Sequence, residues 1–407
     1  MALIKNIALM GTSTAMRLAC GLLTFVVMAR LLGPDHFGLL MLWFSISTLV
    51  CLLANYGFTP YLLRELGANP ASAVKVMSDV LTAKLILSTF LIIIGVGSFL
   101  ILPASTFYLF ILLLLAQLAD SMTEFFNVGY RATNRYGSET QLATVSAVMQ
   151  LVLVSGACIW LAKPLMAAAA FMVARLIVLM ITWRSQLRYF SQLSISPWRD
   201  GWQKIKRTHA FASDFALQSL FGQIDSLVLN HFLGPASVGV YQAGMRVFLA
   251  GTQAATVLSN VFIPHISRAA ESTSQKKGLV KLFFAFNLIG FLGFIFFVLL
   301  KVCDAQKLFG KDFGELNLLF PYFGGLFAAR FLAGACGCIL TIKGMQGARA
   351  ACTALHWLIL LLLIPSGIDH VKDWLILLSI ANVSLAAMYT CVPLINLMCN
   401  NSRIKNK

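Results

Sequence analysis

Long apolar stretches dominate this chain of 407 residues and constrain its fold more than any other feature. A helix needs about 20 mainly apolar residues to span the hydrocarbon core of a bilayer. Twelve stretches meet that length, and they cover residues 7–32, 38–63, 78–102, 106–130, 140–162, 164–183, 211–233, 238–264, 279–302, 316–341, 350–368 and 374–397. Because the bilayer core offers the backbone no hydrogen-bond partners, each stretch is predicted to be helical. The sequence therefore predicts an all-α integral membrane protein with twelve transmembrane helices.

The composition excludes a soluble globular protein. Hydrophobic residues make up 59% of the chain and charged residues 11%, whereas soluble domains carry about 25% charged residues. The nine cysteines show no Cys-x-x-Cys spacing, and most of them lie within apolar stretches. Such cysteines are typical of packed interiors rather than of metal sites or disulfide frameworks. We therefore expect no metal and no cofactor.

The basic residues predict the orientation in the membrane. The net charge is +16, and Lys and Arg concentrate in cytoplasmic loops. With the N-terminus inside, 20 basic residues lie on the cytoplasmic side and 6 on the other side. We therefore expect both termini in the cytoplasm. The longest cytoplasmic loop, residues 184–210, is interpreted as a linker between two halves, and binding of anionic lipid or a partner enzyme is its alternative role.

A short motif occurs once in each half of the chain. LGPDHFG spans Leu32 to Gly38, and LGPASVG spans Leu233 to Gly239. Gly followed by Pro favours a turn where a helix cannot continue, and each copy joins the first span of a half to the second. Six spans precede the linker and six follow it, so both halves start inside and form a parallel repeat. We predict two six-helix bundles, residues 1–183 and 211–407, around a central cavity, as in transporters whose halves rock to give alternating access.

The motifs also carry a family resemblance. The segment ARLLGPDHFG with the following FTPYLLRE, and the segment DSLVLNHFLGPASVGVYQAGMRV, resemble the corresponding helices of Wzx-type polysaccharide flippases. These belong to the multidrug/oligosaccharidyl-lipid/polysaccharide exporter superfamily. The resemblance implies two bundles around a V-shaped cavity. It also implies movement of polyprenyl-pyrophosphate-linked oligosaccharide across the bacterial inner membrane, for O-antigen, lipopolysaccharide or capsule synthesis. Membrane lipids and a polysaccharide polymerase are the further partners implied, and nucleic acid is not one.

Four spans carry polar side chains at helical spacing, so that each set shares one helix face. The sets are Thr14, Arg17, Gly21 and Thr24; Gln117, Asp120, Glu124 and Asn127; Asp214, Gln218, Gly222 and Asp225; and Gln242, Arg246, Gln253 and Asn260. Polar residues inside a membrane line a cavity or pair with one another, and they also bond neighbouring helices together. For the second set both interpretations stay open, because Glu124 could also meet Arg131 or Arg135.

The candidate site residues follow from depth and position on these faces. The predicted substrate-binding residues are Arg17, Arg246, Arg330, Gln218, Gln253 and Thr24, and an Arg–Asp pair joining the two halves is the alternative for Arg330. The predicted ion-coupling residues are Asp225 and Asp214, which would take H⁺ or Na⁺. A static Asp225–Arg246 salt bridge is the alternative for Asp225. Lys84 and Arg175 are interpreted as structural side chains that extend toward the inner interface.

Two other functions compete with the flippase. A multidrug cation exporter of the same superfamily would use the acidic residues of the spans. A membrane-embedded glycosyltransferase or polymerase would need a catalytic constellation, and the sequence has no nucleotide-binding glycine loop, metal cluster or nucleophile arrangement. We therefore expect a transporter rather than an enzyme, and one that ATP does not drive directly.

Overall fold

The computed structural model describes residues 2–68, 72–132, 135–187, 193–220, 223–267, 272–302, 304–343, 345–364 and 368–405. Within these ranges the chain forms α-helices joined by short turns and no β-strand. The helices are α1 Ala2–Asn55, α2 Phe58–Ala68, α3 Ala73–Gly97, α4 Ala104–Ala132, α5 Tyr136–Trp160, α6 Pro164–Leu187, α7 Trp198–Leu220, α8 Ile224–Leu233, α9 Pro235–Ser267, α10 Ser272–Leu300, α11 Ala305–Phe309, α12 Glu315–Ile342, α13 Gln346–Leu363 and α14 Val371–Lys405. The predicted all-α fold is confirmed.

The helices have the length and surface of membrane spans. Among the described residues, eight helices are long and apolar enough to cross a bilayer, and the first, Met16–Leu63, has 48 residues, enough for two spans joined at a bend. Large apolar side chains cover the outside of α10, where Phe284, Leu288 and Phe291 are more than half exposed. An exposed apolar surface of this kind is typical of a helix that contacts lipid. The chain is therefore a multi-pass membrane protein, and the number of twelve spans stays a prediction.

Both Leu-Gly-Pro motifs adopt the same strained backbone. Gly33 bends α1 with φ 74° and ψ 169°, and Gly234 ends α8 with φ 82° and ψ 178°. This region of backbone space is essentially open to glycine alone. The proline that follows begins the next helical segment, where its missing N–H costs nothing. The repeat predicted from the sequence is therefore also a repeat in backbone conformation.

The two motifs pack directly against each other within residues 1–239. A Cβ placed on Gly38, the last residue of the first motif, would lie 1.8 Å from the carbonyl oxygen of Pro235. A Cβ on Gly239, the last residue of the second motif, would lie 2.1 Å from the carbonyl oxygen of Pro34. The contact is thus reciprocal and joins backbone to backbone. It explains why each motif ends in glycine.

The chain divides into two compact units, Met1–Gly239 and Val240–Lys407. The first unit extends past the predicted linker, and the linker itself packs on α3. The Ser196 hydroxyl donates to a carboxylate oxygen of Asp79 at 2.9 Å, and Lys204 lies 3.6 Å from the other oxygen of that carboxylate. From Trp198 onward the predicted linker is part of α7. The division into bundles 1–183 and 211–407 with a linker at 184–210 stays a prediction.

The second unit has an aromatic core in which phenylalanine rings pack against glycines. Phe297 stacks on Phe323 with ring centroids 6.2 Å apart, and Phe327 meets Phe331 at 4.6 Å. A Cβ on Gly293 would lie 2.1 Å from the ring of Phe327. Because the rings fill the space that glycine leaves, α10 and α12 pack closely.

We expect Gly38→Ala to destabilise the protein through the contact between the motifs. The added methyl group would meet a carbonyl oxygen that cannot rotate away, and such overpacking costs about 1–3 kcal/mol. The midpoint of thermal unfolding in detergent should fall by several degrees. The control is Gly97→Ala, because a Cβ on Gly97 meets nothing within 4 Å. Equal midpoints for the two variants would show that the close approach contributes nothing to stability.

Candidate functional site

The first unit contains a cavity of about 590 Å³. Its walls come from α1, α2, α4, α5, α6 and α7, and most of the side chains that reach it are polar. The polar lining residues are Arg17, Asn55, Thr59, Gln117, Asp120, Ser121, Thr123, Glu124, Asn127, Ser146, Gln150 and Arg175. A polar cavity within a bundle of apolar helices is the usual form of a binding site in a membrane transporter.

The polar face predicted on α4 forms one wall of this cavity. Gln117, Asp120, Glu124 and Asn127 all line it, so the spacing argument identified a true common face. One of them also bonds a neighbouring helix, because the Gln117 amide donates to the Thr48 hydroxyl of α1 at 2.9 Å. Cavity lining and interhelical bonding, the two interpretations left open by the sequence, therefore occur together on α4.

Both acidic residues of this wall have arginine partners. The Arg175 guanidinium of α6 donates to Asp120, and Arg131 donates to Glu124 at 2.8 Å and to Glu139 at 2.7 Å. The interpretation of Arg175 as an interfacial side chain is wrong, because Arg175 lines the cavity and pairs there. The Asp120 and Glu124 side chains remain 45% and 40% exposed. Their charges are therefore compensated while their oxygens stay in contact with the cavity.

Arg17 is the lining cation for which the described part of the chain offers no acidic partner. Its side chain is exposed and reaches the cavity from α1. Among the described side chains, no carboxylate lies within ion-pair distance of its guanidinium. A free guanidinium presents a planar set of donors that matches the oxygens of a phosphate or carboxylate. The structure thus brings Arg17 to a position where it can bind an anion.

Of the other predicted residues of the first unit, the structure describes the side chains of Thr24 and Asp225, and neither lines this cavity. Thr24 is fully buried, and its hydroxyl donates to the Cys20 carbonyl of its own helix at 2.7 Å. Asp225 lies in the first turn of α8 and is 6% exposed. The side chains of Asp214 and Gln218, both on α7, lie outside the described residues. The roles of these four residues stay predictions.

Three predicted residues belong to the second unit. Arg246 is half-buried on α9, and Gln253 is exposed on the same helix. Arg330 is exposed on α12 and donates to the Asn382 amide oxygen of α14 at 3.5 Å. Their binding roles stay predictions, as does the Asp225–Arg246 pair.

Sequence reasoning missed Lys84 as a neighbour of the cavity. The expectation that it extends to the membrane interface is wrong, because its side chain is 2% exposed and bonds inside the unit. The sequence did hold a signal. No acidic residue stands three or four positions from Lys84 on its own helix, so an ion pair within α3 could not neutralise it.

No metal centre accompanies the cavity in the part of the chain that the structure describes. There, no three His, Cys, Asp or Glu side chains come together as metal ligands would. Among the described residues, the cavity presents a guanidinium without an acidic partner together with amides, hydroxyls and compensated carboxylates. This arrangement suits the reversible binding of a polar anionic ligand.

The chain is similar to known proteins in sequence and in fold. A family described as polysaccharide biosynthesis protein matches residues 3–270, and no curated protein matches the sequence. An inward-facing multidrug resistance MATE family transporter of the MOP superfamily has a TM-score of 0.72 and 15% identity, over 95% of this chain and 96% of that one. The lipid II flippase MurJ in an inward closed conformation has a TM-score of 0.70 and 12% identity, over 95% of this chain and 86% of that one. An outward-facing MATE transporter has a TM-score of 0.67 and 15% identity, over 98% and 96%. At these identities the likeness shows the MOP-superfamily fold.

Proposed function

Because the chain belongs to the polysaccharide biosynthesis protein family, we propose that it is a flippase for polyprenyl-pyrophosphate-linked oligosaccharide in the bacterial inner membrane. The exported unit would serve the synthesis of a surface polysaccharide, such as O-antigen or capsule. The observation that carries the proposal is the polar cavity of the first unit, where Arg17 has no acidic partner among the described side chains. Both termini lie in the cytoplasm in this proposal, and a polysaccharide polymerase is the expected downstream partner.

The cavity suits the polar parts of such a substrate. A pyrophosphate offers several anionic oxygens, which a guanidinium can bind in pairs. Sugar hydroxyls need hydrogen-bond donors and acceptors whose bonds form and break at little cost. The side-chain amides of Gln117, Asn127 and Gln150 line the cavity and supply both. The polyprenyl tail can stay in the bilayer. No bond is made or broken in the substrate, so the protein acts as a transporter and not as an enzyme.

The two Leu-Gly-Pro motifs offer a pivot for alternating access. Glycine at Gly33 and Gly234 can absorb a change of φ and ψ that other residues cannot. Reciprocal contact between the motifs would close one side of the membrane while it lasts. Rocking of the halves about this contact would move the substrate from one leaflet to the other.

A multidrug cation transporter is the second candidate function. Structures described as multidrug resistance transporters share the fold, and two carboxylates line the cavity. Both carboxylates already have arginine partners, and a cationic drug would have to displace them. An anionic head group can bind Arg17, which has no acidic partner among the described side chains, so the flippase is the better fit.

Deletion of the gene tests the choice between the two candidates. A flippase predicts that the cell loses a surface polysaccharide and accumulates its lipid-linked unit on the cytoplasmic side, because export is the blocked step. The two quantities are measured by polysaccharide gels and by mass spectrometry of extracted lipids. Normal polysaccharide together with greater sensitivity to cationic drugs would instead support the multidrug transporter.

Arg17 should be required for export in the complemented deletion strain. We expect Arg17→Ala to abolish export, because the loss of a charge-assisted bond to phosphate costs about 1.5–3 kcal/mol. Arg17→Lys should keep partial export, because it preserves the charge but loses the planar fork. We expect the same order for Arg246, with Arg330 a weaker contributor.

The matched control is Arg30→Ala, which removes an exposed arginine of the same helix that does not line the cavity. Immunoblots of the membrane fraction check that every variant is as abundant as the wild type. Full export by Arg17→Ala would remove this residue from the binding site.

Asp225 is the proposed coupling residue, with Asp214 as the second choice. A buried carboxylate can take up and release H⁺ or Na⁺ as its surroundings change. In proteoliposomes that contain the lipid-linked oligosaccharide, Asp225→Asn should still bind substrate but lose its response to an imposed pH or Na⁺ gradient. Asp200→Asn, at the start of α7, is the control and should respond as the wild type does. A normal response by Asp225→Asn would leave Asp225 a static structural role only.

A further inference from the structure

Lys84 is a buried cation whose hydrogen-bond partners, among the residues that the structure describes, are neutral groups. Its ammonium group donates to the Ala54 carbonyl at 3.1 Å and to the Ser121 hydroxyl at 2.6 Å. Among the described side chains, no carboxylate lies within ion-pair distance of it. A charge inside a membrane protein is costly unless something nearby stabilises it. The carbonyl end of α1, with its partial negative charge, stabilises Lys84 in part.

The bonds of Lys84 continue to the cavity through two side chains. The Ser121 hydroxyl accepts from Lys84 and donates to the Asn55 side-chain oxygen at 2.6 Å. Ser121 and Asn55 both line the cavity. Because the Asn55 oxygen is used by Ser121, the amide NH₂ group is the remaining donor, and no described residue accepts from it. A charged donor at one end polarises each bond in such a chain and strengthens the donor at the other end.

The backbone beside Asn55 is held in an unusual conformation. Tyr56 has φ 45° and Gly57 has φ 63°, and together they separate α1 from α2. A non-glycine residue in this region costs about 1–3 kcal/mol and is found where the surroundings enforce it. Lys84 contributes to that enforcement, because it bonds the last turn of α1 and lies 5.9 Å from the centre of the Phe58 ring of α2. The turn at Tyr56 and Gly57 holds Asn55 at the cavity wall.

We propose that Lys84, Ser121 and Asn55 form a hydrogen-bonded relay that presents a charge-assisted donor to the cavity, and that Asn55 binds an anionic oxygen of the substrate. The inference rests on the proposed function and assigns a second anion-binding group in addition to Arg17. Asn55 is the binding residue, while Lys84 and Ser121 position and polarise it. The ligand chemistry is an oxyanion, either the pyrophosphate of the lipid carrier or a carboxylate on an acidic sugar.

Binding to the full chain in lipid nanodiscs tests the relay. The first probe is polyprenyl pyrophosphate without sugar, and the comparison probe is the neutral polyprenol. We expect Lys84→Met and Ser121→Ala each to weaken pyrophosphate binding about tenfold, which is about 1.4 kcal/mol, because each variant removes the polarisation of the Asn55 donor. Binding of the polyprenol should not change. The double variant should bind no more weakly than Lys84→Met alone, because the two changes break one chain.

Matched variants separate the relay from a general effect on α3. Lys75→Met removes an exposed lysine of the same helix, and Ser88→Ala removes a buried hydroxyl of that helix that does not line the cavity. Both should bind pyrophosphate as the wild type does. Asn55→Asp keeps the size and the bond from Ser121 but replaces the donor with a carboxylate, so it should lose pyrophosphate binding even if Lys84→Met fails to fold.

The two sources of the oxyanion give different results. If the relay binds pyrophosphate, the relay variants bind the sugar-free polyprenyl pyrophosphate more weakly than the wild type does. If it binds a sugar carboxylate, they weaken only a lipid-linked oligosaccharide that carries an acidic sugar. If folded Ser121→Ala and Asn55→Asp bind polyprenyl pyrophosphate and the acidic lipid-linked oligosaccharide with wild-type affinity, the relay is wrong and the proposed function stands. If the wild-type protein binds neither polyprenyl pyrophosphate nor the acidic lipid-linked oligosaccharide, the proposed function is wrong, and so is the relay that rests on it.

Discussion

The cost of charge in an apolar medium organises the first unit. An unpaired ion in the bilayer is expensive, and nearly every described ion near the cavity has its compensation within reach. Arg175 meets Asp120, Arg131 bridges Glu124 and Glu139, and Lys84 bonds the end of α1. The contacts of Arg175 and Lys84 join α6 to α4 and α3 to α1, and Arg131 joins α4 to the next helix, α5. Arg17 stands apart from this pattern, and that exception turns a cavity into a candidate anion site.

The reciprocal contact of the two motifs supplies the second constraint. The chain pays for two strained glycines and for two close backbone approaches, at Gly38 with Pro235 and at Gly239 with Pro34. Both motifs share Leu-Gly-Pro and a final glycine, and the contact explains why both need that final glycine. A pivot of this kind combines a tight contact with residues that can change φ and ψ, which the proposed alternating access requires.

Features that depend on sequence spacing could be predicted, and features that depend on neighbours could not. Helicity followed from apolar length, the bend at Gly33 from Gly-Pro, and the common face of α4 from steps of three and four. The expectations for Lys84 and Arg175 failed because a long side chain can reach either the interface or a partner. That choice depends on a residue of another helix, Ser121 in one case and Asp120 in the other. Helical spacing places Thr24 on the same face of α1 as Arg17, yet Thr24 is buried and does not line the cavity. A helix face extends beyond the part of it that borders a cavity, so a shared face does not imply a shared site.

The central claim is that the pyrophosphate head group enters the cavity of the first unit. A lipid-linked oligosaccharide with a photoreactive diazirine beside its pyrophosphate tests this most directly, by irradiation in nanodiscs and mapping of the adducts by mass spectrometry. The account predicts adducts on cavity-lining residues of α1 and α4, around Arg17, Asn55 and Gln117. Adducts confined to the exposed apolar surface of α10, at Phe284 and Leu288, would contradict it.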